Sequence, residues 1–134
     1  MEFPTELTRA KINEFRQRGF CVTPDILKLS DIEQFGAAVD LEVRVRTRHD
    51  RRPLQEKTVY EQSFIQCMRL WESSEQVRAL SCHSGLAGLA AQLLQEPTIL
   101  LWQDQALYKE PGGRETTAHQ DQPFWPIGDA PLVS

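Results

Sequence analysis

The sequence predicts an α+β fold, with helices in the longer first part of the chain and strands at the end. Three observations carry this reading. Apolar residues recur at spacings of three and four up to about Leu94, and several of these runs begin with a capping residue. From Pro97 onward the pattern switches to an alternation of period two. At 134 residues the chain has the length of one ordinary domain, which usually holds roughly 100 to 150 residues. We therefore expect a single domain over 1–134, with a mainly helical part at 1–96 and a strand-bearing part at 97–134.

The first helix is capped by Thr5 or Thr8, and Leu7, Lys11, Ile12 and Phe15 follow helical spacing to about Arg18. Gly19 supplies the usual stop just past its end. "FCVT" at 20–23 is aromatic and β-branched, lies between Gly19 and Pro24, and predicts a short strand. "SDIE" at 30–33 has the capping-box pattern, Ser30 serving the first turn's amides and Glu33 reaching back. A second helix is expected to start there, with Ile32, Phe35, Val39 and Val43 as its buried stripe.

Residues 44–58, "RVRTRHDRRPLQEKT", carry five Arg and only Val45 and Leu54 as large apolar side chains. This predicts a solvated helix end and loop, with His49 on the surface. A sharper reading makes the arginines a clamp for an anionic substrate tail such as a phosphate or coenzyme A. From Tyr60 to Leu94 the spacing is helical again, through Phe64, Met68 and Trp71, then Val77 and Leu80, then "GLAGLAAQLL" after Ser84 as its cap. The small residues of that last helix predict close packing against a sheet, and His83 beside the cap has a structural or surface role.

"TILLWQDQALYK" at 98–109 reads as a strand. Under a period of two, Ile99, Leu101, Gln103, Gln105, Leu107 and Lys109 share one face. Two amides and an ammonium group among aliphatics do not suit a buried core, so this face meets water or lines a polar cavity. "EPGGRE" at 110–115 is a turn or loop, and it leads into "TTAHQDQPFWPI". On an extended strand His119 and Asp121 would present an imidazole nitrogen and a carboxylate oxygen to one point. These are two adjacent ligands of a metal site, and non-haem Fe(II) oxygenases use two His and one carboxylate on one triangular face.

Composition excludes several classes. A hydrophobic fraction of 40% supplies enough apolar surface to offset the ordering entropy, so the chain folds. A formal net charge of -4 argues against a nucleic-acid partner, whose binders carry a strongly basic patch. No apolar run approaches the ~20 residues that span a bilayer. Cys21, Cys67 and Cys82 form no close pair, and "MEFPTELTRAK" lacks the order of a secretion signal. A cytoplasmic, reduced chain with a small-molecule substrate is expected.

The stretch "DQALYKEPGGRETTAHQDQPFWPI" resembles the phytanoyl-CoA dioxygenase family, in which a strand ending in Lys and a Pro-Gly turn leads to a Thr-rich segment, His-Gln-Asp and an aromatic-Pro cluster. Upstream, "EFRQRGFCV" and "RLWESSEQVRAL" are similar to that family's helical first half. The resemblance implies a double-stranded β-helix, a cupin-like jelly-roll barrel flanked by helices. It implies an iron-dependent dioxygenase that uses Fe(II), 2-oxoglutarate and O2. The oxidative decarboxylation of 2-oxoglutarate to succinate and CO2 there drives hydroxylation of a small organic substrate. Carried over by position, His119 and Asp121 match iron ligands, and Gln105 and Lys109 fall where side chains approach 2-oxoglutarate. Gln103, Phe124 and Trp125 fall on the substrate side.

The chain also departs from the family. The second His and the Arg that pairs with the distal carboxylate of 2-oxoglutarate come far downstream of the His-x-Asp pair, and here the sequence stops at Ser134. The expectation is an incomplete barrel, a chain inactive on its own, and self-association through the open barrel edge. The competing reading is a non-catalytic remnant acting, if at all, through partner or self-association. A Zn2+ hydrolase built on the same pair fits less well, because no other ligand-spaced His or Cys cluster is present.

Overall fold

The computed structural model describes residues 6–134, and of Gln122 its backbone alone. It is a mixed helix and sheet structure. The elements are α1 (Arg9–Arg18), α2 (Leu29–Thr47), β1 (Ile65–Met68), α3 (Glu75–Ser81), α4 (Ser84–Leu94) and β2 (Gln105–Tyr108), with single 3-10 turns at Leu54–Glu56, Leu70–Glu72 and Gln122–Phe124. The chain forms two compact units. One holds the residues up to Glu33 with 82–101 and 120–134, and the other holds 34–81 with 102–119.

In the first unit, Thr8 caps α1 by accepting from the Lys11 amide at 3.3 Å. Gly19 ends the helix at φ 80, the left-handed conformation that costs glycine least. The alternative cap, Thr5, lies outside the described residues. No strand follows. Residues 20–23 have no ladder partner, Val22 is exposed, and the Phe20 ring instead lies 4.3 Å from the Arg18 guanidinium carbon. β-branched and aromatic content alone does not make a strand when no second strand supplies hydrogen bonds. α4 is capped by His83, whose Nδ1 accepts from the Gly85 amide at 3.0 Å, so the cap lies one residue before the expected Ser84. α4 meets α1 within this unit, where Gln92 Oε1 accepts from the Leu7 amide at 2.8 Å and Arg16 donates to Gln95. A side chain at Gly88 would meet nothing within 4 Å, so that glycine is not there for close approach to a sheet.

The second unit contains the packed core. Val43, Cys67, Leu70, Val77 and Ala106 are buried together, with Ala38, Val39, Ile65 and Tyr108 against them. α2 contributes Phe35 and Val43 from the expected stripe, whereas Ile32 is 52% exposed. The helix begins at Leu29, where the Asp31 and Ile32 amides donate to the Lys28 carbonyl, so Ser30 is inside the helix and does not cap it.

The helical expectation fails between Phe64 and Trp71. Ile65–Met68 is a strand paired antiparallel with β2, in the register Ile65↔Tyr108 to Met68↔Gln105. The apolar spacing there fits either period over so few residues, and the distant partner strand decides it. Arg69 then turns left-handed at φ 56, which ends the strand. Ladder pairing in β2 accordingly begins at Gln105, and the expected strand 98–109 shrinks to four residues. The resulting sheet has two strands. Within β2 the alternation holds, with Ala106 buried and Gln105 and Leu107 exposed, so the amide-bearing face meets water there.

Candidate functional site

Gln103, Gln105, Lys109 and His119 belong to the second unit. The Asp104 carboxylate sets the start of β2. Its oxygens accept from the Leu70 amide at 2.7 Å, the Trp71 amide at 3.1 Å and the Ser81 hydroxyl at 2.8 Å. Its carbonyl accepts from the Arg69 amide at 2.9 Å. One side chain thus ties β2 to the turn after β1 and to the end of α3. Gln103, half-buried, directly precedes this clasp, and Gln105, exposed, directly follows it. Gln105 Oε1 accepts from Gln66 Nε2 at 2.9 Å across the ladder, and Gln66 Oε1 accepts from the Tyr60 hydroxyl at 2.7 Å.

Lys109 follows β2. Its ammonium donates to the Arg114 carbonyl at 3.2 Å and to Thr116 Oγ1 at 2.5 Å, and lies 5.4 Å from the Phe64 ring centroid. The turn it spans closes through the Gly113 amide, which donates to the Glu110 carbonyl at 2.9 Å. Residues 113–120 then run without regular secondary structure. His119, exposed, has Nδ1 at 2.8 Å from the Thr117 carbonyl oxygen. A carbonyl oxygen can only accept, so this contact selects the tautomer with Nδ1 protonated and leaves the ring's lone pair on Nε2. Metal-binding imidazoles are commonly oriented in this way.

Asp121, Phe124 and Trp125 belong to the first unit. The Asp121 carbonyl accepts from the Phe124 amide at 2.9 Å and so closes the 3-10 turn Gln122–Phe124. Asp121 and Trp125 are half-buried, and Phe124 is 75% exposed. Among the described residues no group of three His, Cys, Asp or Glu side chains is placed to hold a metal ion. A groove of about 580 Å³ in the second unit, lined by Ala37, Ala38, Leu41, Glu42 and Ser74 among others, contains none of the candidate residues.

The arginines of the 44–58 segment are exposed, and Arg46 and Arg52 are engaged by the protein's own acceptors. Arg46 donates to the Met68 carbonyl at 2.5 Å, the Arg69 carbonyl at 3.1 Å and Ser73 Oγ at 2.6 Å. Arg52 pairs with Asp50 at 2.9 Å and Glu61 at 2.7 Å. Hydrogen bonds from its guanidinium hold both carboxyls down at about 2. Cys67 is buried, and desolvation raises its thiol pKa, which suits a packing role. Reading the sequence missed Asp104, Gln62 and the hydrogen bond from Tyr108 to Asp40. The signal for Asp104 was present: it shares a period-two face with Ala106 and Tyr108, and a carboxylate on the inward face of a strand needs partners.

Comparison with curated proteins gives no match, and neither does comparison with solved structures. A family model, by contrast, matches residues 15–133, nearly the whole sequence, and its description is phytanoyl-CoA dioxygenase (PhyH). With that coverage, the chain belongs to the phytanoyl-CoA dioxygenase family.

Proposed function

We propose that this chain is part of a non-haem Fe(II)- and 2-oxoglutarate-dependent dioxygenase that hydroxylates a small organic substrate in the cytoplasm. The observation that carries the reading is the His119 imidazole, oriented through Nδ1 by the Thr117 carbonyl and two residues before a carboxylate, in a chain of this family. An imidazole and a carboxylate are donor types that suit Fe(II), which supplies activation of O2 when bound. The pair supplies two of the three protein ligands that a facial site takes, and among the described residues no third is grouped with them. With two protein donors, the pair by itself is proposed to hold Fe(II) weakly.

In this reading Gln105 and Lys109 contact 2-oxoglutarate, and Gln103, Phe124 and Trp125 contact the substrate. Lys109 supports it by its position at the end of β2, and would exchange its bond to Thr116 for the anionic co-substrate. The two-stranded sheet belongs, in this proposal, to a jelly-roll barrel of the cupin type. The test is an anaerobic titration with Fe(II) and 2-oxoglutarate, read by the weak visible charge-transfer band of the chelated complex. The band is expected in the parent chain and absent in His119→Ala. A band unchanged in His119→Ala, or no band in a folded parent chain, contradicts the assignment.

A second reading, a non-catalytic module that associates through its sheet, is favoured by one observation: Met68 and Leu107 are exposed at 42% and 49% on a sheet of only two strands. Concentration-dependent self-association without any His119-dependent metal binding would favour it over the first.

A further inference from the structure

We infer that Gln62 is a positioning residue that anchors the segment leading to His119, an inference that rests on the reading of His119 as a metal ligand. Gln62 lies three residues before β1, in a turn where its amide donates to the Thr58 carbonyl at 2.9 Å. Its side chain is used at both ends. Nε2 donates to the Lys57 carbonyl at 2.8 Å, and Oε1 accepts from Arg114 Nε at 2.8 Å. Its carbonyl accepts from the Arg114 amide at 2.9 Å. Residues 57–62 and Arg114 are thus joined by backbone and side chain together, about 50 residues apart in sequence.

The neighbouring residue makes this approach specific. A Cβ at Gly113 would stand 2.9 Å from the Gln62 carbonyl oxygen and 3.0 Å from that of Glu110, both backbone atoms. Only glycine lets the two segments come this close. Lys109 extends the hold to the Arg114 carbonyl and Thr116 Oγ1. Beyond that point the support thins. The amides of Glu115, Thr116, Thr117 and Ala118 make no hydrogen bond among the described residues. His119 itself contacts the Thr117 carbonyl through Nδ1. The course of the chain toward His119 is therefore set at Gln62 and Arg114, and a loose anchor lets the imidazole sample more positions. Groups that orient a metal ligand without touching the metal commonly change affinity by about 10- to 100-fold.

The experiment measures two things on the 134-residue chain and its Gln62→Ala and Gln62→Glu variants: amide hydrogen exchange, and anaerobic Fe(II) affinity referred to His119→Ala. Gln62→Ala is expected to speed exchange at Gly113 and Arg114 selectively and to weaken His119-dependent Fe(II) binding by about tenfold. Gln62→Glu keeps an acceptor for Arg114 and is expected to restore most of both. Unchanged exchange at Arg114 in Gln62→Ala overturns the inference. So does exchange that rises equally at Cys67 and Ala106, which would mark a general loss of stability. If the parent chain shows no His119-dependent Fe(II) binding, the iron reading falls by itself. Exchange then decides the anchor alone, a selective loss at Gly113 and Arg114 supporting it and an unchanged pattern overturning it.

Discussion

The β1–β2 ladder and the segment from Arg114 to Gln120 both carry candidate site residues, and they are held in different ways. Around Gln103 and Gln105 the backbone is fixed by ladder hydrogen bonds, by the Asp104 carboxylate on two amides and a hydroxyl, and by a core centred on Leu70 at 1% exposure. Around His119 the described residues form no ladder and 113–120 carry no buried side chain; the segment is held by the Gln62–Arg114 anchor and the Lys109 contacts, and the imidazole meets the Thr117 carbonyl. In the proposed reading a co-substrate would find the Gln105 amide already held by Gln66. In the same reading a metal at His119 would have to order part of its own site, which would lower its affinity by the entropy of that ordering.

The largest expected effect that sharpens this contrast comes from Leu70→Ala. Truncating a fully buried Leu typically costs about 3 kcal/mol, and urea unfolding is expected to report a loss of that size with no faster exchange at Glu115–Ala118. A loss near zero would mean the core is centred elsewhere. Asp104→Ala comes next, at about 2 kcal/mol, since it leaves the Leu70 and Trp71 amides without their acceptor. Its signature is exchange that rises at those two amides first, and uniform protection there would contradict the clasp.

His119→Ala is expected to change stability by less than about 0.5 kcal/mol, as an exposed residue outside the core does. A larger loss in the same unfolding measurement would give His119 a structural role. The smallest effect concerns Asp50 and Glu61. Arg52 depresses both carboxyls to about 2, so their contribution is fully present above the ordinary carboxylate range and is lost as pH falls through about 2. Carboxyl-carbon NMR titration is expected to find both midpoints low, and Asp50 to remain low in Glu61→Gln because its own bond to Arg52 persists. Midpoints near 4 would mean that Arg52 is not held there.

What the sequence made legible was local. Thr8 and Gly19 delimit α1 because a cap needs only nearby residues, and the α2 stripe is visible because Phe35 and Val43 repeat on one helical face. β1 was hidden, because "IQCM" becomes a strand only through Gln105–Tyr108, far along the chain. "FCVT" had strand composition and no partner. Of the candidate site, residue types and spacing could be read directly. How each is held could not, since the Asp104 clasp and the Gln62 anchor both join segments distant in sequence.

The most direct measurement is residue-resolved amide exchange, without metal and then under anaerobic Fe(II) with 2-oxoglutarate. Slow exchange is expected at Cys67, Leu70 and Ala106 in both conditions, and fast exchange at Glu115–Ala118 that slows when Fe(II) and 2-oxoglutarate are present. Protection at Glu115–Ala118 that is already high without metal, or that ignores it, would contradict an account in which a fixed framework carries the co-substrate side and the metal orders the rest.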